Sequence, residues 1–412
     1  MAKKKGVSIQ RTVYQTFKGA DFSTDPSLLD PARSPLCTNI MPDGGGMPQK
    51  RAGWRVLHEL EGKVNGIFSA TFHGTVRYLA HVGTKMYTWD ETDTAPVSIR
   101  TGLADRKSRA AYLNNELWIV TGGGFFSYDY DGTDHFRKVS GSTITYIPTT
   151  TITRMPTGGG VSYEDVNMLT PYRRNAFQTD GTSTTFLLDA AIDETGDVEV
   201  WVWGNKTLAF TVDRAAGTVT MNSAPAAPGA GSEDGLVVQF PHTVEGYADI
   251  IDKCTLITTY GYGTNDRLIL SGNPDYPNRD WISGYNNPTY FPDLGYSSIG
   301  SSATAILGYC RVGAQLGIVK ADDGHDNSIF LRSAELNSDG EPVFPIRQAI
   351  AGVGAVSSGS FQSLLDDPLF LSRTGVMAVT STTITDQRIT QGRSWYVNNR
   401  LTRQEGLGEA EA

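Results

Sequence analysis

Two stretches decide the fold class: RYLAHVGTKMYTWD (residues 77–90) and ELWIVTGGGFFSYDYDG (residues 116–132). In each, an apolar run is followed by a glycine turn and then by an aromatic run, so that Gly83 aligns with Gly122 and Trp89 with Tyr128. Alternation with a period of two residues predicts strands, and the intervening glycine predicts a tight turn. The two stretches therefore predict a repeated hairpin.

The same pattern recurs in stretches that begin at Arg267, Gln315 and Pro368. The spacing gives units of about 40 to 50 residues, each with several short strands, which is typical of the blades of a β-propeller. Helical periodicity is almost absent, and the best helical candidate, the short segment of residues 105–113, is equally compatible with the entry to a strand. We therefore predict an all-β protein built on a β-propeller.

The repeat is interrupted at about residues 153–247, where Val198, Val200 and Val202 alternate with Trp201 and Trp203. This segment is predicted to be a small inserted β-sandwich of Ig-like type. The predicted domains are an N-terminal arm with the first strand (1–55), propeller blades (56–152), the inserted sandwich (153–247), further blades (248–396) and a C-terminal tail (397–412). Residues 7–17 are predicted to form a strand. Completion of the last blade by this strand or by another chain, and a lower number of blades, stay open as alternatives.

Composition excludes some classes of function. The 412 residues carry a net charge of −9, which argues against a protein that grips nucleic acid but is compatible with a surface that DNA slides past. Cys37, Cys254 and Cys310 lie far apart, which indicates a reducing compartment and no disulfide framework. No apolar run approaches the ~18 residues of a membrane span, so synthesis in a cytoplasm and no membrane partner are expected.

The acidic clusters, such as DETD (residues 90–93) and DYDGTD (residues 129–134), coincide with predicted hairpin tips, where Asp and Gly serve the turn itself. The six histidines show no metal-ligand spacing. We therefore predict no catalytic, metal or cofactor site, and a protein that is not an enzyme.

Three segments resemble known proteins: residues 17–57, with Lys-Arg-x-Gly-Trp after a glycine-rich turn, residues 268–293, and QGRSWYVNNRLTRQEGL near the end. They are similar to tail nozzle and hub proteins of tailed bacteriophages, the class that includes packaged-DNA stabilisation and tubular tail proteins. The resemblance implies a virion tail protein without catalysis or cofactor. It implies a ring of six subunits that binds the portal or adaptor and other tail proteins, while packaged DNA passes through the lumen without specific binding.

The resemblance also gives roles to single residues. The glycine-rich stretch NIMPDGGGMPQKRAGW (residues 39–54) would be an arm that delivers the first strand through a tight turn. Arg51 would pair with an acid of its own or a neighbouring chain, and Trp54 would anchor the strand in the core. The aromatic segment of residues 272–296 is predicted to be a long loop that supplies subunit contacts. The residues assigned to these roles are Gly44, Gly45, Gly46, Arg51, Trp54, Tyr276, Trp281 and Tyr290.

Two other classes of function stay open. The aromatic loop and the pair Trp201 and Trp203 are compatible with a carbohydrate-binding propeller, such as a host-surface adhesin of a phage tail. Clustered acids are compatible with a glycan-cleaving enzyme, which needs two carboxylates about 5–9.5 Å apart in a cleft.

Overall fold

The computed structural model describes residues 16–228, 234–325, 328–365, 367–381 and 388–411. Strands follow one another along this chain, and the described residues contain only two short α-helices. The prediction of an all-β protein is therefore confirmed. The strand predicted over residues 7–17 lies almost entirely outside the described residues.

The chain opens with an extended arm and two regular sheets. The arm carries a two-stranded hairpin, and sheets 1 and 2 are antiparallel meanders of four strands in which each strand pairs with the next along the chain. The hairpin consists of β1 (Ile40–Pro42) and β2 (Pro48–Lys50). Sheet 1 consists of β3 (Val64–Phe72), β4 (Thr75–Val82), β5 (Lys85–Trp89) and β6 (Val97–Thr101). Sheet 2 consists of β7 (Arg109–Leu113), β8 (Glu116–Val120), β9 (Phe125–Tyr130) and β10 (Asp134–Lys138).

An insert follows sheet 2 and contains a six-stranded and a three-stranded sheet. Its strands are β11 (Thr149–Arg154), β12 (Val161–Ser162), β13 (Tyr172–Phe177), β14 (Thr185–Leu187), β15 (Glu199–Val202), β16 (Asn205–Thr207), β17 (Phe210–Asp213), β18 (Thr218–Met221) and β19 (Leu236–Pro241). The six-stranded sheet has the order β12-β11-β13-β19-β15-β16, and the other has the order β14-β18-β17. Both sheets contribute to one apolar core of their own, which includes Phe186, Val219 and Val238.

Helix α1 (Tyr247–Asp252) leads from the insert into three further four-stranded meanders. Sheet 3 consists of β20 (Leu256–Tyr260), β21 (Arg267–Ser271), β22 (Arg279–Ile282) and β23 (Tyr296–Ser298). Sheet 4 consists of β24 (Ile306–Val312), β25 (Gln315–Lys320), β26 (Ser328–Arg332) and, after the small hairpin of β27 (Glu335–Leu336) and β28 (Pro342–Val343), β29 (Ile346–Ala351). Sheet 5 consists of β30 (Gln362–Leu364), β31 (Asp367–Ser372), β32 (Gly375–Ser381) and β33 (Arg388–Gly392).

The repeat predicted from the sequence is confirmed by these sheets. The recurring stretches that begin near Arg77, Glu116, Arg267, Gln315 and Pro368 all fall on the second strand of a four-stranded sheet. Of the two alternatives for residues 105–113, the entry to a strand is confirmed and the helix is wrong, because Arg109–Leu113 is β7 and pairs with β8. Its local propensity for helix is outweighed by pairing with the adjacent strand.

Successive sheets pack through apolar cores, and among the described residues four pairs of sheets are joined in this way: 1 with 2, 2 with 3, 3 with 4, and 4 with 5. The two sheets of each pair contribute buried residues to a common core, which includes, in that order, Leu79 and Phe126, Trp118 and Leu270, Leu256 and Ile318, and Val319 and Phe370. Burial of each such side chain contributes about 1.5–3 kcal/mol, which makes these junctions the main source of stability. No comparable core among the described residues joins sheet 5 to sheet 1.

The first strands of the sheets approach one another, with β3 near β7, β7 near β20 and β20 near β24, while β24 lies near β31. Residues of β3, β7 and β20 line a cavity of 680 Å³, together with the start of β30 and the residues just before it. Its wall includes Ile67, Lys107, Arg109, Phe361 and Glu411. The cavity is thus lined by residues of sheets 1, 2, 3 and 5 and by the C-terminal Glu411.

The C-terminal segment returns to this central cavity. After sheet 5 it forms a 3-10 helix (Trp395–Val397), helix α2 (Asn398–Leu401) and a second 3-10 helix (Leu407–Glu409). Glu411 then forms a parallel bridge with Gly359 and an ion pair of 2.5 Å with Lys107, which precedes β7. The segment therefore links sheet 5 to sheet 2 across the cavity.

Candidate assembly surface

The glycine-rich stretch is the turn between β1 and β2, and Asp43 organises it. One carboxylate oxygen of Asp43 accepts hydrogen bonds from the backbone N–H groups of Gly45 (2.9 Å) and Met47 (2.7 Å). Gly46 has φ +81, a conformation that side chains disfavour, whereas a Cβ atom on Gly44 would meet open space. The need for glycine in this turn therefore falls on Gly46.

Arg51 and Trp54 lie just beyond the hairpin. The backbone N–H of Arg51 donates to the carbonyl of Asn39 at 2.9 Å, and no ion pair joins its exposed side chain to another described residue. Trp54 is 81% exposed, and residues 51–60 form no strand. The prediction that Trp54 anchors a strand in the core is therefore wrong, because the first strand of sheet 1 begins only at Val64 and no sheet covers the indole.

The arm exposes large apolar side chains at high density. We define the apolar arm as residues 28–57, in which eight large hydrophobic side chains are between 45% and 81% exposed. They are Leu28, Leu36, Ile40, Met41, Met47, Trp54, Val56 and Leu57. Single exposed apolar residues are ordinary, but eight of them within thirty residues make this segment a candidate interaction surface.

Both ends of this arm are nevertheless fixed to the folded chain. At its base, the N–H of Phe22 donates to the carbonyl of Tyr396 at 2.6 Å, and the guanidinium of Arg33 lies 3.4 Å from the centre of the Tyr396 ring. At its far end, His58 contacts Trp89 of sheet 1 edge to face, with ring centres 5.5 Å apart. The apolar arm is thus held in place while its hydrophobic side chains stay uncovered.

The aromatic residues predicted as subunit contacts interact with other parts of their own chain. Trp281 lies in β22 and is only 2% exposed, within the core between sheets 2 and 3. Tyr276 packs on Trp281 edge to face at 5.9 Å, and the hydroxyl of Tyr290 donates to the carbonyl of Asp165 at 2.9 Å. The prediction that Trp281 is a surface anchor is wrong, because its segment is not one long loop but contains a central strand of sheet 3.

Arg77 links the acidic turns of sheets 1 and 2. Its guanidinium forms ion pairs of 3.1 Å with both Asp90 and Asp134, from the two clusters that the sequence assigns to hairpin tips. The ring of Tyr130 lies 4.6 Å below it. Burial disfavours the charged guanidinium, but the hydrogen bond to Tyr128 and the charge of Asp134 outweigh it and raise the pKa of Arg77.

A second buried ion pair joins sheets 3 and 4. Arg332 and Asp280 are both fully buried and lie 2.8 Å apart, and the hydroxyl of Tyr309 donates to the same carboxylate at 3.3 Å. Arg77 and Arg332 are not among the residues predicted from the sequence, although an arginine within an apolar strand is a signal that could have identified them. No group of three or more His, Cys, Asp or Glu side chains in the described parts of the chain is arranged to hold a metal ion.

Comparison with known proteins gives no family. No protein-family model matches the chain, and no curated protein is similar to it in sequence. In the parts of the chain that the structure describes, every helix is too short to cross a membrane.

Proposed function

We propose that this protein is a structural virion protein: a subunit of a ring at the portal-proximal end of a bacteriophage tail, as a nozzle or hub that closes and conducts the DNA channel. The observation that carries the proposal is the apolar arm, whose eight exposed hydrophobic side chains need a partner surface. The resemblance of three sequence segments to this class of tail proteins supplies the setting.

The scaffold supports a mechanical role. We propose that sheets 1 to 5 are the blades of a β-propeller, because each is a four-stranded meander and the first strands of sheets 1, 2, 3 and 5 contribute residues to one cavity. The insert, with two sheets on its own core, would be the Ig-like sandwich. A framework of this kind transmits load through packed cores and buried ion pairs, and it needs no catalysis or cofactor.

The charge of the chain fits a conduit for DNA. A net charge of −9 per subunit repels phosphates, so packaged DNA would pass through the lumen of the ring without specific binding. The proposed partners are other copies of the chain in a ring of six, the portal or adaptor, and further tail proteins.

Quantitative mass spectrometry of purified particles tests the proposal, with the portal protein as internal standard. A closed ring of six on a twelve-fold portal gives about one copy for every two portal copies. Absence of the protein from particles would overturn the proposal, and a ratio well above one would point to a fibre or a surface decoration instead.

The carbohydrate-binding alternative has one observation in its favour, the aromatic pair on the insert. Trp203 is 38% exposed, but the ring of Trp201 has the cations of Arg174 and Lys206 each 5.9 Å from its centre. These cations compete for the faces on which a sugar would stack. Saturable binding of the purified chain to a glycan array, abolished by Trp203→Ala, would favour this alternative.

A further inference from the structure

The cavity of 680 Å³ has an excess of positive charge on its wall. The charged side chains that line it are Lys107, Arg109 and Glu411. The ammonium group of Lys107 lies 2.5 Å from the carboxylate of Glu411, so these two charges compensate each other. Arg109 forms no ion pair with another described residue. One positive charge on the wall is therefore left without a counter-ion.

Neutral acceptors hold the guanidinium of Arg109 in place. It donates to the carbonyl of Thr255 at 3.1 Å and to the hydroxyl of Ser358 at 2.9 Å, which fixes it between the segments that precede β20 and β30. Burial lowers the pKa of Arg109, and the charge of Glu411 only partly opposes this effect. A guanidinium has five N–H donors, so Arg109 keeps donors for a bound molecule.

Space for such a molecule lies beside Arg109. Its side chain lines the cavity of 680 Å³ and also a second cavity of 200 Å³, whose wall includes Thr258 and Tyr309. Ile257 and Phe361 line both cavities as well. Each volume is several times the ~30 Å³ of one water molecule. The uncompensated charge is thus next to a space that a small molecule can enter.

Asn65 adds an unpaired acceptor to the wall of the larger cavity. Its side-chain amide donates to the carbonyl of Gly83 at 3.1 Å and to the carboxylate of Asp105 at 2.7 Å. Asn65 is 2% exposed, and its Oδ1 has no hydrogen-bond partner among the described residues. Its backbone carbonyl accepts from the N–H of Ser108 at 3.0 Å, which places it beside the start of β7. Buried acceptors normally have a partner, so an occupant that can donate a hydrogen bond is favoured here.

We propose that this wall binds a small monoanion that carries hydroxyl groups, of which dihydrogen phosphate is the simplest. Its negative charge compensates Arg109 through charge-assisted hydrogen bonds, and its hydroxyl groups supply donors for an acceptor such as Asn65. The carboxylate of Glu411 limits the site to one negative charge, because it repels a second one. All residues of this anion site lie in one copy of the chain, so it does not depend on the proposed ring.

Isothermal titration calorimetry of the full chain with inorganic phosphate tests the anion site, at a pH at which phosphate is mostly a monoanion. We expect saturable binding of one phosphate per chain. Glu411→Gln removes a repulsive charge and should tighten the binding at least threefold. Lys107→Gln lowers the positive charge of the site and should weaken the binding at least threefold. The two side chains are 56% and 41% exposed, so both variants should keep the fold.

Glu405→Gln and Lys206→Gln are the matched controls. Glu405 is exposed in the segment after α2, and Lys206 pairs with Glu199 at 2.7 Å in the insert. Neither Glu405 nor Lys206 lines the cavity, so both controls should bind phosphate with the affinity of the wild type. Arg109→Gln should weaken the binding at least tenfold. If Arg109→Gln fails to fold, the opposite effects expected of Glu411→Gln and Lys107→Gln still decide the outcome.

Two further probes separate phosphate from other anions. Sulfate is a dianion at this pH and has no proton to donate, so it should bind at least threefold more weakly than phosphate. A short DNA duplex should not displace bound phosphate. Absence of saturable phosphate binding, equal affinities for phosphate and sulfate, displacement by the duplex, or unchanged affinity in Glu411→Gln would each overturn the proposal.

Discussion

At the scale of single residues, Arg77 is the side chain on which the junction of sheets 1 and 2 depends most. It is 7% exposed and lies between carboxylates of Asp90, Asp93 and Asp134. Removing its charge leaves these acids close together in a partly desolvated site. We expect Arg77→Gln to lower the free energy of unfolding by about 2–4 kcal/mol, measured by urea denaturation.

Arg137→Gln is the matched control for that substitution. Arg137 pairs with Asp129 at 2.8 Å in sheet 2, but its side chain is 35% exposed, so its ion pair is screened by water. The loss should be below about 1 kcal/mol. If the two variants lost equal stability, burial would not explain the contribution of the Arg77 ion pairs to the free energy of unfolding.

A buried histidine gives the protein a specific dependence on pH. His81 in β4 is fully buried, and its Nδ1 lies 3.0 Å from the hydroxyl oxygen of Ser108. Burial lowers the pKa of His81, against the opposing influence of the Gly83 backbone and Asp105. The folded protein therefore takes up this proton less readily than the unfolded chain, whose histidines titrate at about 6.5.

The sign of the effect follows from this difference. The stability that neutral His81 contributes is present above about pH 6.5 and is lost as the pH falls through the lower pKa of the folded state, by at most about 1.4 kcal/mol per pH unit. Lowering the pH from 7.5 to 5.5 should therefore lower the urea midpoint of the wild type more than that of His81→Gln. His73→Gln, on the turn before β4, controls for the loss of an imidazole. An equal fall of the urea midpoint in His81→Gln and in the wild type would contradict the prediction.

At the scale of elements, β22 decides the role of the aromatic segment after Gly272. Trp281 points into the core between sheets 2 and 3, where it meets Tyr276. We expect Trp281→Ala to destabilise the monomer by about 3–5 kcal/mol, because it leaves a large cavity. Thermal or urea unfolding of the purified chain measures this without any particle assembly.

Tyr285→Ala in the same segment is the control, because Tyr285 is 65% exposed. Its effect on the free energy of unfolding should stay within about 0.5 kcal/mol, the range of ordinary surface substitutions. A stable Trp281→Ala monomer would return Trp281 to the list of candidate subunit contacts.

The same element shows what the sequence could and could not predict. Strands with alternating apolar residues around a glycine turn were identifiable because the signal is local, and each of the five recurring stretches lies in a second strand of a sheet. β22 was missed because Pro277, Asn286 and Pro288 flank it closely and make its four residues look like loop.

The candidate surface was harder to predict than the fold. The exposure of Trp54 could not be predicted from the sequence. The local sequence around this tryptophan does not indicate whether its own chain or a neighbouring chain covers the side chain. The glycine-rich turn was recognised from composition, but the specific need for glycine at Gly46 follows from its backbone conformation. Ion pairs between sheets, such as Arg332 with Asp280, join residues far apart in sequence and depend on how sheets stack.

At the scale of the whole molecule, the described residues contain two kinds of core. The insert has its own, in which Leu236 is fully buried. The meander sheets share a series of others, in which Leu268 of sheet 3 is fully buried. Because these two cores have no buried residue in common, local opening of one need not open the other.

Hydrogen exchange of two matched leucine variants tests this separation. Each truncation should cost about 2–5 kcal/mol through the lost side chain and the cavity that it leaves. Leu236→Ala should speed amide exchange across β13 to β19 and leave β24 and β25 at wild-type rates, whereas Leu268→Ala should speed exchange in sheets 2 and 3 and spare the insert. If Leu236→Ala instead raised exchange in β24 and β25 as much as in the insert, the molecule would open as one cooperative unit. In that event the insert could not be altered independently of the meander sheets that flank it.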